Sequence, residues 1–251
     1  MRFSIIIFVL SVVTCTVPAV SQLAVPYKNL VFEGGGIRGI AYAGSVDALD
    51  KAGVLAQITR VCGTSVGAVV ASLLAVGYSS EEILKIVPDL KIKKFADGRF
   101  GFLGGIPRLI SHYGWYRGEK IRTLVGDLLE AKTKNAALTF SELHQLALKD
   151  KHFRDLYIPA TNLSMQRLEI LSYETYPEME IRDAVRISLS IPLFFKAVSI
   201  TADGKIAKKN KPNTYIMLDG GIIGNFSIQV FDDKKYIMES KDLTGFENLL
   251  G

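Results

Sequence analysis

The sequence predicts an α/β protein: one domain with a mostly parallel central sheet and helices on both faces, in three layers, α/β/α. Three observations carry that expectation. The chain opens in the order strand, helix, strand, helix, which builds parallel neighbours through crossovers. The second of those helices is apolar nearly all round, so it belongs inside a core rather than on its surface. Glycine-rich turns then fall where strands end, the place where open α/β sheets carry their chemistry.

Composition agrees. The 251 residues are 49% apolar and 22% charged. That excludes a disordered chain, a collagen-like repeat and a coiled coil, and is enough for one large core. A net charge of +5 does not call for nucleic acid, while attraction to an anionic lipid surface is compatible with it. The two cysteines, Cys15 and Cys62, can make neither a disulfide scaffold nor a zinc site by themselves. No His/Cys/Asp cluster has metal-ligand spacing, so no metal or cofactor is expected.

Residues 1–21 read as a targeting segment. Phe3 to Val13 is apolar and uncharged, too short before Pro18 to span a bilayer, and suited to the core of a secretory signal. Ala19 and Ser21 put small residues at −3 and −1 for cleavage before Gln22. The expectation is a signal peptide or an N-terminal anchor, with a secreted, periplasmic or membrane-associated protein. Residues 27–251 form the domain.

The elements follow in order. Lys28 to Glu33 is a short buried strand, and Tyr42, Val46 and Leu49 mark one face of a helix that stops at Gly53. Ile58 to Cys62 is the second strand. The apolar helix runs from Ala68 to Val76 and ends at Gly77. Ser79-Ser80-Glu81-Glu82 is a capping box for a helix expected to stop before Pro88. Residues 97–118 read as a long Gly- and aromatic-rich loop. Ile121, Leu124, Val125, Leu128 and Leu129 define an amphipathic helix, and Thr139 to Glu142 caps another. Leu156 to Thr161 and Arg167 to Ser172 are strands. Ile181 to Ser190 is a helix closed by Pro192. Lys205 to Asn213 is a basic loop, and Thr214 to Leu218 a strand that runs into Asp219-Gly220-Gly221.

Gly34 to Gly39 matches G-x-G-x-x-G after a strand, so a dinucleotide site has to be weighed. That reading needs an acid about twenty residues on, yet Lys51 through Ser80 contains no Asp or Glu. No Gly-Lys-Ser/Thr is present either, so neither nucleotide nor dinucleotide is expected. Consecutive glycines still allow backbone N–H groups to converge on a negative oxygen. Gly63-Thr64-Ser65-Val66-Gly67 lies between the second strand and the buried helix. A sharp strand-to-helix turn there exposes the Ser65 hydroxyl, and the Val66 N–H can donate to an oxyanion.

A serine needs a base. The three histidines, His112, His144 and His152, all follow Ser65 and none follows Asp219. The chain orders of the α/β-hydrolase, chymotrypsin and subtilisin triads therefore fail. Ser65 with one of these histidines and Asp219 stays open, His112 being the strongest of the three. The simpler solution is a dyad in which Asp219 takes the proton directly.

Glu33-Gly34-Gly35-Gly36-Ile37-Arg38-Gly39, Gly63-Thr64-Ser65-Val66-Gly67 and Asp219-Gly220-Gly221, in this order, resemble the patatin-like phospholipase family. Gly114-Trp115-Tyr116-Arg117-Gly118, Thr139 to Leu143, Ala160 to Leu163 and Ala184 to Pro192 resemble it too, so the likeness runs from Asn29 to Phe231. The resemblance implies a calcium-independent lipid acyl hydrolase with Ser65 as nucleophile and Asp219 as base. It also implies an oxyanion hole from Gly34, Gly35 and Gly36, joined by Val66, and Arg38 close to substrate phosphate or oxyanion. Gly39, Gly63, Gly67, Gly220 and Gly221 complete the motifs. Asn225-Phe226-Ser227 departs from the family, which often has proline after this asparagine. The chain ends soon after these residues, and a missing terminal strand or helix is an expectation.

The implied substrate is a membrane lipid or acylglycerol, met through transient contact with a membrane surface. Phe95, Phe100, Phe102, Leu103, Ile106, Trp115 and Tyr116 beside Lys91, Lys93, Lys94, Arg99 and Arg108 suit an interface-seeking segment or, equally, a folded flap. Lys205, Lys208, Lys209 and Lys211 read as a solvated basic loop. Cys62 reads as an inert core thiol.

Overall fold

The computed structural model describes residues 27–90, 114–207 and 212–232. The expected signal segment, the apolar and basic residues between Lys91 and Arg108, His112, Lys208 to Lys211 and the chain after Asp232 lie outside these residues.

The sheet contains six strands: β1 (Asn29–Phe32), β2 (Arg60–Gly63), β4 (Asp155–Asn162), β5 (Arg167–Leu171), β7 (Val198–Thr201) and β8 (Thr214–Asp219). Their order is β1-β2-β4-β8-β7, with β5 paired to β4. β1, β2 and β4 are parallel neighbours, as the crossover pattern predicts, whereas β4 pairs antiparallel with β5 and β8, and β7 antiparallel with β8. β1, β2, β4 and β7 therefore point one way and β5 and β8 the other. The connections explain this: β4 reaches β5 through the short turn Leu163–Gln166, and such a link can join only antiparallel strands. A separate parallel pair joins β3 (Gly114–Tyr116) to β6 (Leu193–Phe195).

Successive strand residues face opposite sides of the sheet. Val61, Leu156 and Ile158 enter the large core, while Cys62 and Tyr157 enter a second cluster with Phe231, Val31, Ile170 and Val230. Helices α1 (Ala41–Lys51), α2 (Val66–Ala75), α3 (Ser80–Asp89), α4 (Glu119–Thr133), α5 (Phe140–Lys149) and α6 (Ile181–Ser188) all contribute to the large core. From Gly67 through Ala75 every residue of α2 is buried, which accounts for its lack of a polar face. The C-terminal end of α2 is held by Arg154, which donates to the carbonyls of Leu74 at 2.9 Å and Leu55 at 3.2 Å. A cation there also complements the negative end of the helix.

Both capping boxes form: Ser79 accepts from Glu82 N–H and Thr139 from Glu142 N–H, each at 3.2 Å, with the glutamates returning to the cap N–H at 2.8 Å. α3 runs through Pro88 rather than stopping before it. One residue from its end the proline costs a single hydrogen bond, its ring holds φ in the helical range, and Val87 keeps the turn docked in the core. β3 falls in the stretch expected to be a loop, and β6 and β7 in residues for which the sequence predicts no element. Among the described residues, no helix is long and apolar enough to cross a membrane.

Candidate active site

Strand register brings two distant segments to one level. Cys62 of β2 is opposite Tyr157 of β4, so three residues further on Ser65 is level with Ala160, which pairs with Asp219. β8 runs against β4, yet it stops at this level, and its carboxyl end opens onto the turn that carries Ser65.

Ser65 has φ 55° and ψ −122°. This is the left-handed side of backbone space, costly for a residue with a Cβ and typical of a functional turn. The flanking glycines make the turn possible. A Cβ on Gly63 would lie 2.2 Å from the Gly67 carbonyl oxygen, and one on Gly67 would lie 2.7 Å from that of Phe32. Backbone occupies the space on both sides. Ser65 is the N-cap of α2, but its hydroxyl makes no cap bond. It lies beside the Asp219 carboxylate, where a hydroxyl donor lowers the carboxyl pKa. A serine at this position normally satisfies a helix N–H; here the hydroxyl does not.

Asp219 is 5% exposed. Its N–H donates to the Ser190 carbonyl at 3.1 Å, and its carbonyl accepts from Thr161 Oγ1 at 2.8 Å. The carboxylate accepts the Gly221 N–H at 2.7 Å. Burial raises its pKa above the ordinary carboxylate range, and the Gly221 and Ser65 donors act against that rise without cancelling it.

The glycine segment after β1 closes the third side. Gly34 lies so near that a Cβ on it would come within 3.3 Å of Ser65 Cβ and 2.3 Å of Asn225 Oδ1. Of the glycines expected to form an oxyanion hole, Gly34 has its N–H taken by the Asn225 carbonyl at 3.2 Å. Among the described residues, the N–H groups of Gly35, Gly36 and Val66 have no protein acceptor. Val66 begins α2, so its N–H belongs to the unsatisfied, positive end of the helix. Gly36 has φ +53°, which turns the chain into a short 3-10 helix, Gly36–Ile40, where Arg38 is exposed. Gly39 and Gly220 serve close approach: a Cβ would strike Val66 Cγ1 at 2.2 Å and the Pro159 carbonyl at 2.4 Å, respectively.

Neither described histidine joins the site. His144 Nδ1 bonds Asp155 at 2.8 Å and its ring stacks on Tyr173 at 3.8 Å, and Asp155 begins β4 at the opposite end of the sheet. His152 is exposed beside Asp150. Cys62 is buried, and burial pushes its thiol up to about 12.

Three residues that the sequence reading did not single out support the site. Ser188 Oγ accepts the Ser65 N–H at 3.0 Å and donates to the Pro159 carbonyl at 2.7 Å. Ser190 supplies the carbonyl that holds Asp219. Asn225 Nδ2 donates to the Gly34 carbonyl at 2.9 Å and to Glu33 Oε1 at 2.8 Å. Only their place within the stretches 184–192 and 225–227 hinted at them. Exposed apolar side chains extend from the same loops: Ile37 and Ile40 after the glycines, Ile222, Ile223 and Phe226 after Asp219, and Leu193 after α6.

Known proteins are similar to this chain. The Bacillus subtilis (strain 168) protein YqhO is 33% identical over 216 residues, covering 83% of this chain and 68% of its own. "Probable lipid hydrolase 463L" of Invertebrate iridescent virus 6 is 27% identical over 210 residues, covering 81% of this chain and 63% of its own. Among solved structures, VipD from Legionella pneumophila superposes with a TM-score of 0.55 at 24% identity, over 78% of this chain and 46% of that one. This chain thus spans about two thirds of the first two proteins and less than half of VipD, whose likeness is one of fold. The sequence model of the patatin-like phospholipase family matches residues 30–232, nearly the whole described fold and all three glycine-rich turns, and the chain belongs to that family.

Proposed function

We propose that the chain is a lipid acyl hydrolase of the phospholipase A type, a serine esterase that works through a Ser65–Asp219 dyad and an acyl-serine intermediate. The observation that carries this reading is the strained, non-capping Ser65 at the elbow into α2, with its hydroxyl beside the buried Asp219 carboxylate and lowering that group's pKa.

In the first half-reaction Ser65 Oγ attacks the ester carbonyl carbon and its proton passes to Asp219. The carbonyl π pair moves to oxygen, where the Gly35, Gly36 and Val66 N–H groups receive the oxyanion; each such donor is worth about 3 kcal/mol of barrier. The C–O bond to the leaving alcohol or lysolipid breaks, and Asp219 returns the proton to that oxygen. In the second half Asp219 takes a proton from water, the hydroxide adds to the acyl carbon, and Ser65 Oγ leaves with the proton. A carboxylate is a weak base at neutral pH, and its raised pKa brings it closer to the task. Arg38, exposed one turn beyond the glycines, is suited to a lipid phosphate. The apolar rim favours acyl chains over a polar substrate.

The test is lipid product analysis by mass spectrometry on phospholipid, monoacylglycerol, acyl-thioester and peptide substrates. Free fatty acid and lysolipid are expected from wild type and not from folded Ser65→Ala or Asp219→Asn. Turnover by Ser65→Ala at the wild-type rate, or cleavage of peptide alone, overturns the reading.

A further inference from the structure

We infer that Asn225 is a positioning residue for the oxyanion hole: its side-chain amide fixes the Gly34–Gly35 peptide, and with it the direction of the Gly35 N–H. The inference rests on the lipid acyl hydrolase reading and adds a residue to its machinery.

Asn225 grips Gly34 at both polar edges, accepting its N–H at 3.2 Å with the backbone carbonyl and donating Nδ2 to its carbonyl at 2.9 Å. A trans peptide is planar, so the carbonyl of one residue and the N–H of the next point in opposite directions. With the Gly34 oxygen turned towards Asn225, the Gly35 N–H is turned away from it. That N–H has no protein acceptor among the described residues. A peptide between two glycines rotates at little steric cost, since no Cβ resists it. Something must hold this one if the donor is to be in place before the oxyanion forms, and the Asn225 amide is what bonds its oxygen. The same Nδ2 reaches Glu33 Oε1 at 2.8 Å, which fixes the amide itself. Asn225 also sits against the acid: a Cβ on Gly221, whose N–H bonds the Asp219 carboxylate, would lie 2.9 Å from Asn225 Oδ1. One side chain thus ties the oxyanion segment to the loop of the base, 191 positions away in the chain.

The test uses Asn225→Ala and Asn225→Asp, the latter keeping shape and Oδ1 while losing the donor. Steady-state kinetics on a soluble short-chain ester are measured beside the affinity for an alkyl trifluoromethyl ketone. That ketone takes the Ser65 oxygen at its carbonyl carbon while the Ser65 proton passes to Asp219 and the carbonyl π pair moves to oxygen, which gives an oxyanion like that of the reaction. Both variants are expected to lose about 10- to 100-fold in kcat with KM within about twofold. Affinity for the ketone should fall by the same factor as kcat/KM, while affinity for the corresponding non-reactive alkyl ether stays unchanged. A purely structural defect would lower the active fraction without moving ketone affinity in step. If either folded variant keeps wild-type kcat, or loses kcat with ketone affinity intact, the inference is overturned. Should Ser65→Ala retain activity in the same assay, the underlying reading fails instead, and the two failures are distinguishable.

Discussion

The backbone N–H of Ser65 donates to the Oγ of Ser188 at 3.0 Å, across 123 positions of chain, and both residues are buried. The contact answers a specific need. Ser65 sits at φ 55°, a conformation that persists only where its surroundings hold it. Ser188 completes the support by donating to the Pro159 carbonyl at 2.7 Å, which anchors the turn to β4. Ser188→Ala leaves a buried N–H and a buried carbonyl without their partner, at about 1–3 kcal/mol. Urea unfolding should show that loss, and the folded fraction should label more slowly with a fluorophosphonate. Wild-type stability and labelling rate would remove Ser188 from the account.

Two of the described glycines differ in what a side chain would meet. Gly63→Ala drives a methyl to within 2.2 Å of a carbonyl oxygen that belongs to the backbone and cannot swing aside. It should abolish activity and lower the melting temperature sharply. Gly44, inside α1, has open space where its Cβ would go. Gly44→Ala should stabilise by about 0.5–1 kcal/mol with kcat unchanged. Thermal unfolding and ester turnover of both variants check the contrast.

Asp219 couples pH to activity and to stability in opposite senses. Its folded pKa is raised by burial, so between the unfolded and folded values the native state holds the proton more firmly. Stability therefore falls as pH rises through that window, and the ionised acid is a cost at neutral pH. Asp219→Asn should raise the melting temperature at neutral pH while eliminating hydrolysis. Wild-type kcat/KM should fall on the acid side with a midpoint above the ordinary carboxylate range, because a protonated Asp219 accepts no proton. A melting temperature lower than wild type at neutral pH would contradict this assignment.

His144 offers a control. Its bond to Asp155 and its stack on Tyr173 are structural contacts at the far end of the sheet. Burial raises the Asp155 pKa and His144 opposes that rise. His144→Ala should cost stability and leave kcat within about twofold of wild type. A loss of kcat comparable with that of Asp219→Asn would return a histidine to the mechanism.

Much of this site is legible in the sequence because its chemistry is written in short contiguous turns. Gly63 to Gly67 encodes the elbow, and the failure of all three histidines to fit a known triad order already favours Asp219. The parallel β1, β2 and β4 follow from the helices between them. What escapes are the partners that arrive from elsewhere in the chain. Nothing local to Ser188 or Asn225 says that a hydroxyl will meet the Ser65 N–H or that an amide will clasp Gly34. For the same reason the sequence cannot tell that the Gly34 N–H bonds the Asn225 carbonyl. β7 is a different case. Val198-Ser199-Ile200-Thr201 alternates as a strand should, but its antiparallel partner β8 is non-local, and the reading passes over it. The reversal of β5 and β8 likewise depends on connections rather than on composition.

The central claim is that Ser65 becomes covalently acylated with Asp219 as its base. Intact-protein and peptide mass spectrometry after brief incubation with a slowly turned-over long-chain ester tests it most directly. The account predicts a single acyl adduct mapping to Ser65, absent from Ser65→Ala and formed far more slowly by Asp219→Asn. An adduct on another residue, or hydrolysis at the wild-type rate by Ser65→Ala, would contradict it.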